Sequence, residues 1–324
     1  MRAALNGAFP WRGTEAGRAI EAVLAGRPPD QAPGEELRLL LDRASREAVA
    51  AQVAAGLDLV TDGLARAFDP AGYPLGALDG VRPGPWRDRF PGSGTAYRVP
   101  VVEREVAWKK PVLAEDYLFA AQGCPRTLKP VLTGPFTLAK IADDRAYHDP
   151  MSLAMALAIA LNQELRALQA AGASFIQIDE PSCLDHKDEF PLFTRIWEVL
   201  GRGVTASLCL HLPGGDVEGI YPGITRMKRL ACLSLDLVAG PRNLPLLATA
   251  PLPDGLLLGL GVIDGREAAD DAPEAIVAPV RGAAGLPPHD RVLLGTASGL
   301  EGMPVDRAAA RLRNLARAAR SFAS

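Results

Sequence analysis

The sequence is poor in the features that mark several classes of protein. Its 324 residues contain only four cysteines, none of them in a CxxC pair: Cys124, Cys183, Cys209 and Cys232. Scattered cysteines are typical of free thiols in a reducing compartment, which argues against a disulfide framework. Lysine-rich runs and blocks of like charge are also absent, and the formal net charge is −3. We therefore expect no nucleic acid partner.

Long hydrophobic runs are absent as well. The most apolar helical stretch, near residues 153–168, is interrupted by Asn162, Gln163, Glu164 and Arg166. A membrane-spanning helix needs about 20 consecutive apolar residues, so no segment is predicted to cross a membrane. The N-terminal segment lacks a hydrophobic signal region and is predicted to form the first strand. These absences predict a cytoplasmic protein without a membrane partner.

The chain instead contains short apolar runs that alternate with longer amphipathic ones. Apolar residues make up 48% of the sequence and charged residues 23%, which is ordinary for a globular protein. The alternation predicts βαβ units and a parallel sheet. Most of the apolar runs are unbroken, as expected of strands buried on both faces. The predicted strands are residues 3–7, 59–63, 130–134, 175–179, 206–211, 233–237, 256–261 and 292–296.

Two of the amphipathic segments have clear helical periodicity. Apolar residues recur at helical spacing over residues 37–55, and Gly56 is a natural C-terminal stop. A second apolar stripe, over residues 305–319, follows Pro304. We predict that the opposite face of this helix is solvated, including Arg307, Arg311 and Arg317.

Eight strands, each followed by a helix, predict a single-domain (β/α)8 TIM barrel over residues 1–324. Its active site is expected at the C-terminal ends of the strands. A doubly wound open sheet is the alternative, but no GxGxxG motif follows the first strand. Residues about 64–112 are rich in Gly, Pro, Arg and aromatics, and they are predicted to form an insertion after strand 2. Residues 97–108 alternate in the manner of a β-hairpin, and the insertion is placed where it could cover the barrel mouth.

Five motifs at the predicted strand ends carry a family resemblance. They read IQIDEP at 176–181, LTGPFT at 132–137, GAFP at 7–10, GVID at 261–264 and SGL at 298–300. In this order and spacing they resemble the C-terminal catalytic barrel of cobalamin-independent methionine synthase, which has GSFP and CGL at the third and fifth motifs. The turn at 134–139 is also similar to that of uroporphyrinogen decarboxylase-like barrels. The resemblance covers nearly the whole chain and implies a (β/α)8 barrel.

The resemblance also implies a zinc-dependent methyl transfer from methyltetrahydrofolate to the thiolate of homocysteine. Of the family's zinc ligands, the histidine is matched by His211. The two cysteines are replaced by Pro213 and Ser298, and the glutamate is replaced by Asp236. Cys209 lies on the same strand face as His211, so these two residues and Asp236 are the remaining candidates for a three-ligand site. We nevertheless expect no bound metal.

The substrate site implied by the resemblance is altered too. Asp179 matches the aspartate that grips the substrate amino group, whereas the accompanying glutamate falls at Leu64. Arg66 lies nearby and favours a carboxylate or phosphate. We predict that Asp179 orients the substrate and that His211 acts as acid or base with Asp236 as its carboxylate partner. Further substrate contacts are predicted at Ala8, Ser298 and Asp264.

Three functions are compatible with the sequence. The first is methyl transfer to a small substrate that contains sulfur, although not ordinary homocysteine methylation. The second is a metal-independent lyase or decarboxylase that uses the arginines of the insertion, Arg82, Arg87, Arg89 and Arg98. The third is a non-catalytic barrel that binds a small molecule or serves as a subunit. A homodimer and a complex with a partner subunit are both left open.

Overall fold

A computed structural model describes residues 1–12, 14–25, 34–67, 69, 71–88, 96–266 and 272–322. The strands in these ranges are β1 Arg2–Ala4, β2 Leu59–Val60, β3 Leu78–Asp88, β4 Ala96–Trp108, β5 Thr127–Leu128, β6 Val131–Thr133, β7 Asp143–Asp144, β8 Phe175–Asp179, β9 Ser207–Leu212, β10 Leu230–Asp236, β11 Leu257–Ile263 and β12 Val292–Thr296. The α-helices are α1 Glu15–Ala25, α2 Glu35–Ala55, α3 Leu113–Ala121, α4 Pro135–Ile141, α5 Pro150–Ala170, α6 Ser182–Asp185, α7 Phe190–Leu200, α8 Asn243–Leu246, α9 Pro273–Val277 and α10 Val305–Ser321. Short 3-10 helices cover Tyr73–Ala77, Lys187–Glu189, Gly223–Arg226 and His289–Arg291.

The main sheet closes into a barrel. Its strands follow the order β5-β2-β1-β12-β11-β10-β9-β8-β6 with parallel pairing. The two end segments, β5 and β6, are separated only by Lys129 and Pro130. The Lys129 N–H donates to the Val60 carbonyl (2.7 Å), and the Gln177 N–H donates to the Pro130 carbonyl (2.9 Å). The segment from β5 to β6 thus pairs on both sides as one barrel strand, and the predicted TIM barrel is confirmed.

The predicted strands overlap the observed ones, with differences at their ends. Residues 175–179 and 292–296 were predicted with the observed bounds. Strand 1 ends at Ala4 instead of Gly7, and Gly7 has φ 96°, which ends the extended conformation. Strand 2 ends at Val60 because the side chain of Gln52 takes over the next backbone groups, the N–H and carbonyl of Thr61 (both 2.9 Å).

The two predicted helices are present as α2 and α10. The α2 helix ends at Gly56, whose φ of 86° allows its N–H to bond the carbonyls of the last turn. On α10, Arg307 and Arg317 are exposed as predicted. The prediction for Arg311 was wrong, because this side chain is buried and its Nη1 donates to the Asp264 carbonyl (2.6 Å). The helical periodicity cannot show that the Asp264 carbonyl lies next to the polar face of α10 and accepts this bond.

The insertion after strand 2 contains an antiparallel hairpin of β3 and β4. The hairpin was predicted within residues 97–108, which was wrong in detail: these residues belong to β4 alone, and β3 is the second strand. Within β4, residues 99–102 are buried and residues 103–105 are exposed, so burial does not follow the sequence alternation. The β4 strand also pairs with β7, which ties the insertion to the segment after α4. The connection between β3 and β4, with Arg89, lies outside the described residues.

The longest helices, α2 and α5, flank the barrel. In the ranges given above, no helix is both long and apolar enough to cross a membrane.

Candidate functional site

Two of the predicted site residues lie side by side at one rim of the barrel. Asp179 on β8 and His211 on β9 are register partners, and His211 is in turn the partner of Ser234 on β10. The strands are parallel, so this row lies at their C-terminal ends, where barrel active sites form. Asp179 is half-buried, whereas His211 is only 1% exposed and Ser234 is buried.

A buried polar network connects this row to the barrel interior. The ammonium of Lys129 donates to Asn6 Oδ1 (2.8 Å) and to Gln177 Oε1. Gln177 Nε2 donates to Asp179 Oδ1 (2.7 Å). On the other side, Asn6 Nδ2 donates to Ser234 Oγ (3.3 Å), which lies 3.0 Å from His211 Nδ1. The network joins strands from opposite sides of the barrel and ends at the two candidate site residues.

Sequence reasoning missed the interior members of this network. Lys129, Gln177 and Ser234 are polar residues inside otherwise apolar strand segments, and each is buried. Such residues are rare in barrel strands and need hydrogen-bond partners, so their presence was a usable signal. Their partners could not be identified without the strand order.

Glycines on neighbouring strands make room for the network. A Cβ at Gly259 would lie 2.7 Å from Ser234 Oγ, and a Cβ at Gly295 would lie 2.8 Å from Asn6 Nδ2. Both contacts are shorter than real Cβ atoms allow. The absence of side chains at these two positions therefore permits the polar layer.

Asp236 has a different surrounding from the one predicted. Its Oδ1 accepts from the N–H groups of Val238 (2.8 Å) and Ala239 (2.9 Å), and its Oδ2 accepts from Gly214 N–H (2.9 Å). These bonds hold the loops after β9 and β10 together. We therefore infer that Asp236 positions those loops, and its role as the carboxylate partner of His211 stays a prediction.

The remaining predicted contacts lie in the loops after β1, β12 and β11. The loop after β1 packs on the loop after β12, with the Leu300 N–H donating to the Ala8 carbonyl (2.8 Å). Ser298 is half-buried, and its Oγ donates to the Gly299 carbonyl (3.4 Å). Asp264 follows β11. Burial opposes ionisation there, but hydrogen bonds and the charge of Arg266 outweigh it and hold the pKa of Asp264 below its usual value.

Arg66 belongs to a separate group of side chains beside β2. Its guanidinium pairs with Asp42 and with Asp116 (Nε to Oδ1, 3.1 Å), and it lies over the ring of Phe119 (4.7 Å to the centroid). Asp42 and Asp116 hold its Nη2 and Nε, whereas its buried Nη1 has no hydrogen-bond partner among the described residues. The role of Arg66 as a clamp for an acidic substrate group stays a prediction.

A pocket next to Arg66 lies between the end of β2, the β5–β6 strand and α3. Its polar lining is Asp62, Tyr73, Asp116 and Tyr117. The Tyr73 hydroxyl donates to Asp116 Oδ2. Burial raises the pKa of Asp116 to about 7, against the opposing effects of Tyr73 and Arg66. Burial also raises the pKa of Asp62.

The acid of the IQIDEP motif that follows Asp179 is structural. Glu180 is 1% exposed and accepts hydrogen bonds from the N–H groups of Phe136 (3.1 Å) and Thr137 (2.7 Å) at the start of α4. Burial raises the pKa of Glu180 to about 7. A Cβ at Gly134 would lie 2.2 Å from Glu180 Oε1. Gly134 has φ −76°, so this glycine is required by the close approach of Glu180 and not by backbone conformation.

The three candidate zinc ligands do not fit a zinc ion. Cys209 is buried in an apolar layer and is the register partner of Cys232. A hydrogen bond between the two thiols, together with burial, raises the pKa of Cys232 and so favours the neutral thiol. The oxygens of Asp236 are held by backbone N–H groups. In the part of the chain that the structure describes, no three His, Cys, Asp or Glu side chains group closely enough to hold a metal ion.

Comparison with known proteins places this site in a family context. The sequence model described as cobalamin-independent synthase, N-terminal domain, matches residues 94–280, more than half of the chain. The methionine synthase of Saccharolobus solfataricus is 32% identical over 177 residues, or 54% of this chain and 52% of that protein. The methionine synthase of Sulfurisphaera tokodaii is 29% identical over 215 residues, or 65% and 61%. The matches thus span between half and two thirds of the length of these two relatives.

Solved structures show the same fold. A B12-independent methionine synthase from a Shewanella species, in complex with selenomethionine, has a TM-score of 0.82 at 22% identity, covering 99% of this chain and 97% of that chain. A putative vitamin-B12-independent methionine synthase from Listeria monocytogenes has a TM-score of 0.77 at 18% identity, covering 99% and 98%. The matching sequence model describes the N-terminal domain of the cobalamin-independent synthase, whereas the sequence motifs of this chain resemble the C-terminal catalytic barrel of the same family.

Proposed function

Because the chain belongs to the cobalamin-independent methionine synthase family, as its motifs predicted, we propose that it is an enzyme that transfers a methyl group to sulfur. The substrate is a small amino acid-like thiol that binds at the rim of the barrel formed by β8, β9 and β10. Asp179 binds its ammonium group, and His211 interacts with its sulfur.

The observation that carries this proposal is the pairing of Asp179 with His211 on neighbouring strands. A half-buried carboxylate with one oxygen held by Gln177 keeps lone pairs for an ammonium group. The histidine lies next to it at the strand ends, so one small molecule can span both groups. The relative from Shewanella is described in complex with selenomethionine, a small molecule that carries both an ammonium group and a selenium atom in the place of sulfur.

The proposed chemistry does not use zinc, because the donor set described above does not fit that metal. Methyl transfer requires the thiolate, since the thiolate and not the thiol is the nucleophile. A hydrogen bond from the His211 ring to the sulfur would favour the thiolate. The bond from sulfur to the methyl carbon then forms as the bond from that carbon to the donor breaks. A methyltetrahydrofolate-like donor is the first to test, and its leaving nitrogen takes up a proton.

The lyase alternative has no specific support. Arg82 of the insertion pairs with Glu103, and Arg98 donates to the carbonyl of Gly84 (2.9 Å). With Arg66 bound to two carboxylates, these arginines serve the insertion itself. The contacts of Arg82 and Arg98 therefore do not favour a lyase over a methyltransferase.

Binding of amino acids tests the proposal directly. We expect L-selenomethionine and L-methionine to bind the wild-type protein in isothermal titration calorimetry, and Asp179→Asn to weaken binding at least tenfold. The physical reason is the loss of one charge-assisted hydrogen bond to the ammonium group. Asp143→Asn, which changes an exposed carboxylate paired with Arg145, serves as the control and should bind normally. Equal binding by wild type and Asp179→Asn would contradict the assignment of the site.

Turnover separates an enzyme from a binding protein. The wild-type protein is incubated with L-homocysteine or other small thiols and methyltetrahydrofolate, and methylated product is measured by mass spectrometry. Product that depends on Asp179 and His211 supports a methyltransferase. Amino acid binding without product would instead favour the non-catalytic barrel.

A further inference from the structure

Lys129 is a fully buried lysine within the wall of the barrel. It is 2% exposed and lies between β5 and β6, where one strand closes the sheet. Burial lowers its pKa, while the nearby Cys209, Cys232 and Asp179 raise it. Its Nζ donates to two amide oxygens, those of Asn6 and Gln177. A buried cation is tolerated only with such partners, so these bonds are a condition of the fold.

The lysine, together with the acceptor on the far side of each amide, determines which way the two amides face. An ammonium group has three donors and no acceptor, so only the oxygen of each amide can meet it. The amide nitrogens must then point away from Lys129. On one side, Gln177 Nε2 points to Asp179 and donates to its Oδ1 at 2.7 Å.

On the other side the same constraint passes through a serine. Asn6 Nδ2 donates to the Thr296 carbonyl (2.9 Å) and to Ser234 Oγ (3.3 Å). Ser234 accepts this bond, so its own proton is available for His211 Nδ1, which lies 3.0 Å away. A neutral imidazole that accepts at Nδ1 carries its proton on Nε2.

We propose that Lys129 is a positioning residue that sets the hydrogen-bond polarity of both site residues. Through Gln177 it supplies a donor to Asp179, and through Asn6 and Ser234 it holds His211 in the tautomer with the proton on Nε2. His211 then meets a ligand as a hydrogen-bond donor and not as a base. Only this last consequence rests on the proposed function, where the donor would hold a thiolate.

The tautomer can be measured without any ligand. The chain has four histidines, and 15N-labelled histidine with two-bond proton–nitrogen correlation separates protonated from unprotonated ring nitrogens. The signals lost in His211→Gln assign this residue. In the wild type we expect an unprotonated Nδ1 and a protonated Nε2. A His211 protonated at Nδ1 in the neutral ring would overturn the proposal.

Variants then test whether Lys129 sets the tautomer. In Lys129→Met the Asn6 amide loses the ammonium partner of its oxygen and is oriented by the Thr296 carbonyl alone, and we expect the tautomer ratio of His211 to shift towards Nδ1–H by up to roughly tenfold, about the value of one hydrogen bond. Lys140→Met, which removes a lysine paired with Glu189 outside the barrel, should leave the ratio unchanged. An unchanged ratio in folded Lys129→Met would refute the inference.

Further variants separate the two arms of the network. Gln177→Leu removes the donor to Asp179 but leaves the Asn6 and Ser234 arm, so the His211 tautomer should persist. Ser234→Ala removes the serine link and should shift the tautomer even with Lys129 in place. The opposite pattern would contradict the proposed connectivity. If Lys129→Met does not fold, the His211 tautomers of the wild type and of Ser234→Ala still test whether the Asn6 and Ser234 arm sets the proton position on His211. None of these results depends on whether the protein binds a thiol, so failure of the proposed function would be recognised separately.

Discussion

At the scale of single residues, buried carboxylates near the barrel rim differ in what compensates for their burial. Asp236 and Glu180 accept hydrogen bonds from backbone N–H groups, which position the loops and helix that surround the site. Asp116 instead has Tyr73 and Arg66 as partners, and the carboxylate of Asp62 raises its pKa further. The pKa values of Asp116 and Glu180 are both raised to about 7, chiefly by burial, so both carboxyl groups make stability depend on pH.

Asp116 leads to a prediction on pH dependence. Its pKa is raised from 3.8 to about 7, so the folded protein binds this proton more tightly than the unfolded chain. The free energy of unfolding should therefore fall as pH rises from about 4 to 7, by on the order of 3 kcal/mol from this group. We expect Asp116→Asn to make that part of the profile less steep in urea unfolding, while Glu180, whose pKa is raised to about 7 as well, keeps part of the slope. Asp143→Asn should leave it unchanged, and a profile equally steep in Asp116→Asn would exclude Asp116 as the source.

At the scale of elements, one glutamate joins the insertion to the helical layer. Glu164 on α5 is fully buried, and its Oε1 accepts from the N–H groups of Val112 (2.9 Å) and Leu113 (2.8 Å). Its Oε2 accepts from Trp108 Nε1 (2.9 Å) at the end of the hairpin strand. A carboxylate at the N-terminus of a helix is favourable, so α5 supplies the cap for α3.

Removal of this carboxylate should loosen the insertion. We expect Glu164→Ala to lower the free energy of unfolding by about 3 kcal/mol, because several buried donors lose a charged acceptor. Hydrogen exchange should rise at residues 108–114 before it rises in the barrel strands. Glu198→Ala on α7 removes an exposed partner of Lys228 and should cost less than about 1 kcal/mol. Comparable losses in the two variants would mean that Glu164 does not join these elements.

At the scale of the whole molecule, the barrel closes around polar groups as well as apolar ones. Barrel interiors are normally filled by layers of branched apolar side chains. Here the lower layer includes Phe175 and Leu293, whereas the layer near the rim contains Lys129 and Asn6. The layer near the rim also includes Gln177 on β8, His211 on β9, Ser234 on β10 and the carbonyl of Thr296 on β12. Groups from six barrel strands must therefore reach their positions together.

The glycines that make room for this layer should be intolerant of a side chain. We expect Gly295→Ala to lower the free energy of unfolding by about 1–3 kcal/mol, since the new methyl group would collide with Asn6 Nδ2. Gly302→Ala is the matched control, because a Cβ at that position has no neighbour within 4 Å. Thermal unfolding of both variants gives the comparison. A tolerated Gly295→Ala would mean that the polar layer can repack.

The fold was predictable because its signals are local. An apolar run such as residues 292–296 is read within five residues, and the stop of α2 at Gly56 is read from one. The family was predictable from five short motifs in order. Cytoplasmic location, the organisation as one domain, the absence of a nucleic acid partner and the oligomeric state stay predictions.

The candidate site was predictable only in part. Sequence identified Asp179 and His211 at the ends of adjacent strands, since their positions follow from strand order. It could not determine that Asp236 holds backbone N–H groups or that Arg66 is bound by Asp42 and Asp116. Both are questions of which partner a side chain reaches, and several partners were equally compatible with the sequence.

The order of strands and helices, the family and the polar residues at the strand ends follow from local sequence signals. The hydrogen-bond polarity of the site depends on contacts that form only in the folded chain. Lys129 and Asn6 are 123 positions apart in the chain, and Asn6 and Ser234 are 228 apart. Local propensity acts over a few residues, whereas a hydrogen bond depends on two atoms within about 3 Å. Only closure of the barrel brings these groups to that distance.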